Sequence, residues 1–192
     1  MSAAQMQKNS RRMRTLFARF SGDHRGLAAI EFAMVVPLML VMFFGVVEFS
    51  SGVAVDRKVT LVARTLSDLT SQSTCVADAD LTSFTVTGRA ILTPYSPTPL
   101  RTTITQLFVD PTTHQATVQW SQGSSPRGLG TTVSVPSVLL IDNTYLIFSE
   151  VSYRYIPTVG YVMAPSGVNL SDFAYTRPRQ SSNVLYKPAT CT

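Results

Sequence analysis

GLAAIEFAMVVPLMLVMFFGVV, Gly26 to Val47, is the stretch on which the fold turns. From Leu27 to Val47 it is apolar except for Glu31, with Pro37 and Gly45 inside. At about 1.5 Å per residue, a helix over that run spans ~32 Å, roughly one bilayer core. Directly before it stand Lys8, Arg11, Arg12, Arg14, Arg19 and Arg25, against a single acid, Asp23. Such a basic cluster keeps the N-terminus in the cytoplasm and sends the remainder across the membrane. The pattern predicts one span, N-terminus inside and C-terminus outside.

Charge supports the same division. The chain has 16 Lys/Arg and 11 Asp/Glu, a net charge of +5 over 192 residues. Six of the bases and one acid precede Leu27, so the exported part balances to zero. The basic excess is therefore topogenic, and the exported part carries no electrostatic footprint for nucleic acid. Both cysteines, Cys75 and Cys191, fall on the exported side. In an oxidising compartment such a pair is most simply a disulfide, closing a loop worth about 4–5 kcal/mol of chain entropy. Two unpaired thiols or an intermolecular bond are the competing readings.

Residues 1–26 read as a basic cytoplasmic leader. An ordinary secretory signal is one rival, because Gly52-Val53-Ala54 offers a small-residue cleavage site. Against it, the apolar run exceeds the roughly 7–15 residues of a secretory core. Glu31 is the anomaly of the span: a carboxylate in hydrocarbon costs about 2.5 kcal/mol or more. Either it sits at headgroup depth and reaches water, or it pairs with a cation from a neighbouring chain.

A glycine five residues before a glutamate, at the border of leader and apolar helix, resembles the processing site of class III signal peptides, the type IV pilin group. More narrowly, RGLAAIEFAMVVPLMLVMFFGVVEF, Arg25 to Phe49, resembles the N-terminal signature of TadE-like proteins, minor pseudopilins of tight-adherence (Tad/Flp) type IVb pilus systems. Arg25-Gly26, Ala29, Glu31-Phe32, Pro37, Gly45 and Glu48-Phe49 carry it. The resemblance implies cleavage by a prepilin peptidase between Gly26 and Leu27, with the helix retained. It implies that Glu31, beside Phe32, contacts an adjacent subunit by neutralising its α-amine. Pro37 would kink the helix, as proline does in membrane segments with or without an assembly role.

Beyond the span, Val55, Val59, Val62, Leu66 and Leu69 form one helical stripe. Asp56, Arg57, Arg64, Ser67 and Asp68 fill the other sides. This predicts an amphipathic stem helix over 48–72, packed on the chain's own domain. A partner helix is the alternative. Asp78 to Leu92 reads as a short helix that Asp80 caps and Pro94 ends, although Phe84-Thr85-Val86-Thr87 favours strand. The chain then turns β-rich. Leu100–Val109 is one strand, and Asp110–Thr113 is a turn. Ala116, Val118 and Trp120 share a parity in a second strand. Thr132–Ile141 reads as a broken strand or short helix around Pro136. Tyr145, Ile147, Val151, Tyr153 and Tyr155 share a parity in the longest strand, and Glu150–Pro157 resembles the C-terminal strand of TadE-like domains. Tyr161–Thr192 reads as a loosely packed tail pinned by Cys191. The predicted class is α+β and pilin-like: a long transmembrane helix over 27–47 continued by the stem, then a small antiparallel sheet within an exported domain over 73–192.

No convergent catalytic set is legible. His24 lies in the leader and His114 in a predicted turn, and no G-x-S-x-G elbow accompanies them. Asp78 and Asp80 read as a helix start rather than a calcium site, and no cluster has metal-ligand spacing. No cofactor is expected, and the chain is read as a non-enzyme. The leading reading is a minor pseudopilin in a bacterial inner membrane, single-pass, with a periplasmic or extracellular domain that caps, primes or docks the growing pilus, in which the chain is or is not incorporated. Its implied partners are the prepilin peptidase, Tad inner-membrane platform proteins, other pseudopilins and the major Flp pilin. The alternative is a single-span, membrane-anchored binding or sensing module with no pilus role. A pseudopilin of a type II secretion system is disfavoured by Pro37 and Glu48-Phe49.

Overall fold

The computed structural model describes residues 25–157 and 166–191. The chain divides into two compact units at Val47/Glu48. One helix, α1 (Arg25–Ser71), supplies the described part of the first unit and the opening of the second.

The second unit is built on the stripe read from the sequence. Val55, Val59, Val62 and Leu66 are fully buried, with Ala63 beside them. They share one core with Leu81 and Leu92, with Leu100, Ile104, Trp120, Ile147, Val151, Tyr153 and Tyr155 from strands, and with Val184. The buried face is wider than an apolar stripe. Ser67, expected on the polar side, is fully buried, because its hydroxyl meets strand atoms: Ile147 O at 3.3 Å and Thr176 Oγ1 at 2.6 Å. Ser149 Oγ donates to Ala63 O (2.5 Å), and Thr60 Oγ1 donates to Asp172 Oδ2 (2.5 Å). A buried hydroxyl is tolerated where it has such partners. The helix ends where Thr70 and Ser71 hydroxyls turn back onto Leu66 O and Asp68 O, at 2.8 and 2.7 Å.

The short strand β1 (Cys75–Val76) leads into α2 (Asp78–Ile91). The choice of helix over strand holds here, but Asp80 is not the cap residue. The cap position is Ala77, and Asp80 reaches back to accept its N–H at 2.9 Å. Lys58 Nζ donates to the carbonyls of Ile91 and Thr93, both at 2.8 Å, closing the C-terminal end of α2.

The main sheet has strands β2 (Leu100–Val109), β3 (Ala116–Gly123), β4 (Thr132–Val133), β5 (Tyr145–Tyr155) and β6 (Val168–Thr176). Their order is β4-β3-β2-β5-β6, and every pairing is antiparallel. A 3-10 turn at Ser137–Leu139 follows β4. The α+β class read from the sequence is therefore correct.

Two details differ from the reading. Ala116, Val118 and Trp120 do not share a face: Val118 lies in a second core with Leu107, Val109, Leu146 and Phe148, whereas Trp120 lies in the α1 core. The pairing with β2 shifts between Gln106/Trp120 and Leu107/Val118, so Gln119 is an inserted residue that reverses the alternation. Nor is the C-terminal stretch a loose tail. Residues 168–176 form β6, paired to β5 along its length, so β5 is an interior strand. Further on, β7 (Leu185–Tyr186) pairs with β1 in parallel. Val184 is held from both sides: Trp120 Nε1 donates to its carbonyl (2.8 Å), and its N–H donates to Gln106 Oε1 (2.7 Å). Residues 161–165 of that stretch lie outside the described residues. Cys75 and Cys191 are disulfide-bonded, with a Cα–Cα distance of 5.7 Å.

Leu66 and Leu61 share one helix but not one environment. Leu66→Ala should destabilise the fold by about 2–5 kcal/mol, and Leu61→Ala, half exposed, by under about 0.5 kcal/mol. Denaturant midpoints of the full chain in detergent measure both. Equal losses would mean that the buried face is misassigned.

Candidate functional site

The residues that the sequence singles out for processing and assembly open α1. Arg25 begins the helix, followed by Gly26, Leu27, Glu31 and Phe32. The other topogenic bases, Lys8, Arg11, Arg12, Arg14 and Arg19, and His24 lie outside the described residues. Leu27 and Glu31, four apart, share a helix face with Cβ atoms about 6 Å apart. A side chain at Gly26 would meet nothing within 4 Å among the described residues. Phe32 is 70% exposed, as are most of its apolar neighbours through Val47.

Within the first unit, apolar side chains are exposed on every side of the helix, from Leu27, Ile30 and Met34 to Phe43, Phe44 and Val46. A helix that is hydrophobic all round belongs in lipid or among other helices. It is the one helix among the described residues long and apolar enough to cross a membrane. Pro37 lies inside it, and α1 continues through that residue as one helix. Lacking an N–H, Pro37 leaves the Ala33 carbonyl without its usual donor.

Glu48 opens the second unit. Tyr155, at the end of β5, donates its hydroxyl to Glu48 Oε1 at 2.7 Å, and its ring meets Tyr95 edge-on at 6.5 Å. The sequence marked Glu48 through the TadE-like signature and Tyr155 through strand parity, but no local signal joins residues so far apart in the chain. Burial, and then the bond to Glu48, push the Tyr155 phenol up to about 12.

The remaining titratable groups are dispersed. His114 Nδ1 lies 2.7 Å from Asp142 Oδ1 on an exposed turn, and the Asp110 carboxylate accepts the Thr112 and Thr113 N–H groups. These bonds hold Asp110 below the ordinary carboxylate range. Asp78 accepts the Tyr186 hydroxyl at 2.6 Å. On the sheet face away from α1, a cleft of about 450 Å³ is lined by Arg101, Thr103, Ser152 and Phe173, with Arg127 forked onto Glu150 at 2.6 and 2.8 Å. Among the described residues no group of three His, Cys, Asp or Glu is placed to hold a metal.

Residues 26–66 match the family model of TadE-like protein. The segment is TadE-like, consistent with a protein of the Tad pilus system, and the match runs from Gly26 through Glu48 into the buried stem. No curated protein and no solved structure matches the chain.

The Tyr155 phenol, buried and bonded to Glu48, carries a pH dependence. Unfolded tyrosine titrates near pH 10. Between about pH 10 and 12 the folded chain keeps a proton that the unfolded chain has lost. This contribution is full below pH 10 and is lost as pH rises through the folded value. Denaturant midpoints should therefore fall over that window, and less steeply in Tyr155→Phe. Identical slopes would remove the phenol as the cause.

Proposed function

We propose that this chain is a minor pseudopilin acting in assembly of a tight-adherence (Flp) type IVb pilus, cut by a prepilin peptidase after Gly26 and retained by its N-terminal helix. The observation that carries the reading is the coincidence at one place of three features. The TadE-like match begins at Gly26, the exposed apolar run begins at Leu27, and Glu31 follows one helical turn later.

In this reading, cleavage leaves the Leu27 α-amine at the membrane surface. Glu31 of one subunit accepts the amine of the next as the helices pack, with Phe32 alongside. That pairing gives a purpose to a carboxylate that lipid alone would disfavour. Pro37 bends the packed helices, and the basic leader, Lys8 to Arg25, sets the orientation before it is removed. The protein sits in a bacterial inner membrane with its second unit outside. It meets the peptidase, the Tad platform proteins, the other pseudopilins and the major pilin. Its role is structural, without catalysis or a cofactor.

Intact mass from cells with and without the peptidase tests this directly. The mature chain should start at Leu27 only when the peptidase is present; a start at Val55, or an uncut leader, would overturn the assignment. Gly26→Val should leave full-length product, because a branched side chain obstructs the cut. Glu31→Ala should be processed and inserted normally yet reduce piliation at least about tenfold, the loss expected when a desolvated charge pair is broken. A fully piliated mutant would rule out the assembly role of Glu31.

A further inference from the structure

The two edges of the main sheet are unlike. β4 is only two residues long, Thr132–Val133, and short edges are self-protecting. β6 at the other edge has nine residues, and its register to β5 runs unbroken from Tyr155–Val168 to Ile147–Thr176. It contains no lysine and no proline, and it has no bulge. Lysine, proline and a bulge, three devices that commonly blunt an open edge, are thus missing from VNLSDFAYT, which keeps one inward-pointing charge. Its charged residue, Asp172, faces α1 and is satisfied there by the Thr60 hydroxyl. Among the described residues, β6 enters no ladder except that with β5.

Side chains on both sides of this edge are set for a neighbour. Away from α1, Phe173 is 57% exposed and packs against Tyr175 and Phe148 in an aromatic row. On the α1 side, Arg64 lines a cleft with Ala174, Tyr175 and Thr176. Arg64 has no ion pair among the described residues, whereas Arg179 in the same cleft is paired to Asp68 at 2.6 Å. Arg57, on the same helix face, is also exposed and unpaired among the described residues.

We infer that β6 is a docking edge for an extended segment of another polypeptide, which adds as a sixth strand. Such a strand alternates sides. Its apolar residues rest beside Phe173 and Tyr175, and an acidic residue on its other face meets Arg64. A second copy of this chain is a poor occupant. Antiparallel pairing of β6 with itself about its midpoint sets Asp172 opposite Asp172, and like charges directly opposite are destabilising. This inference stands on β6 and the α1 face beside it and is independent of the pilus reading.

The test places a photo-crosslinking amino acid at Ser171 of the full chain in its own cells, with Thr132 on the β4 edge as the control position. The adduct from Ser171 should map by mass spectrometry to a peptide of another protein with alternating apolar residues and an acid. Amide exchange over 168–176 should slow in the adduct. Arg64→Glu should cut its yield about fivefold, the scale of one reversed surface charge, while Arg89→Glu on α2 leaves it unchanged. Arg64→Gln gives the same direction if the reversed charge disturbs folding. No adduct above the Thr132 level, an adduct only with a second copy, or a yield indifferent to Arg64 would each overturn the proposal.

Discussion

The packing of one helical face, Val55 to Thr70, against β5 and its neighbours is the constraint on which the second unit depends. That face buries Val55, Val59, Val62, Ala63 and Leu66 completely and brings Ser67 and the Ala63 carbonyl into contact with β5 and β6. The hydroxyl bonds and the apolar contacts do different work. Burial of Val55, Val59, Val62 and Leu66 provides most of the free energy, at about 1.5–3 kcal/mol for each such side chain. The bonds from Ser67, Ser149 and Thr60 add little net energy, but they are directional, and so they fix where along the strands the helix sits. A slide by one turn would keep much of the apolar contact and strand every one of those hydroxyls.

The same helix meets two environments, and its sequence changes character where they change. Up to Val47 apolar residues occupy every side, with Glu31 as the exception near the start. From Val55 they retreat to a stripe and charged residues fill the outside. A protein that needed only an anchor would be served by the first pattern followed by any linker. Here the TadE-like match continues through both patterns to Leu66. The matched segment thus includes the buried stem as well as the apolar run.

Period and composition made the helix, its amphipathic change, the helix α2 and the β-rich remainder legible, because each depends on residues close in sequence. What escaped was non-local. Ser67 looked polar by identity, and only the hydroxyl of Thr176 and the carbonyl of Ile147 make its burial tolerable. Trp120 kept the parity of Val118 in the sequence, while Gln119 reverses it in the sheet by a bulge that depends on β2. β6 was hidden because NLSDFAY alternates Leu170, Asp172 and Ala174 against Asn169, Ser171, Phe173 and Tyr175, with a charge on the face toward the helix. An alternation rule reads that as weak, and the Thr60 hydroxyl that accommodates the charge lies far away in the chain. At the candidate site, Gly26, Leu27 and Glu31 were legible because their relation is local, whereas the Glu48–Tyr155 contact was not.

The disulfide illustrates how the C-terminal segment is held. Cys75–Cys191 closes a loop with a sequence separation of 116, and by chain entropy alone that would be its main contribution. Yet the segment it ties is already engaged before the bond is reached: Val184 between Trp120 and Gln106, β7 against β1, and Tyr186 against Asp78. These contacts bring Cys191 toward Cys75 without the covalent link. The bridge therefore secures an arrangement that noncovalent contacts already favour. Its largest effect falls on the unfolded chain.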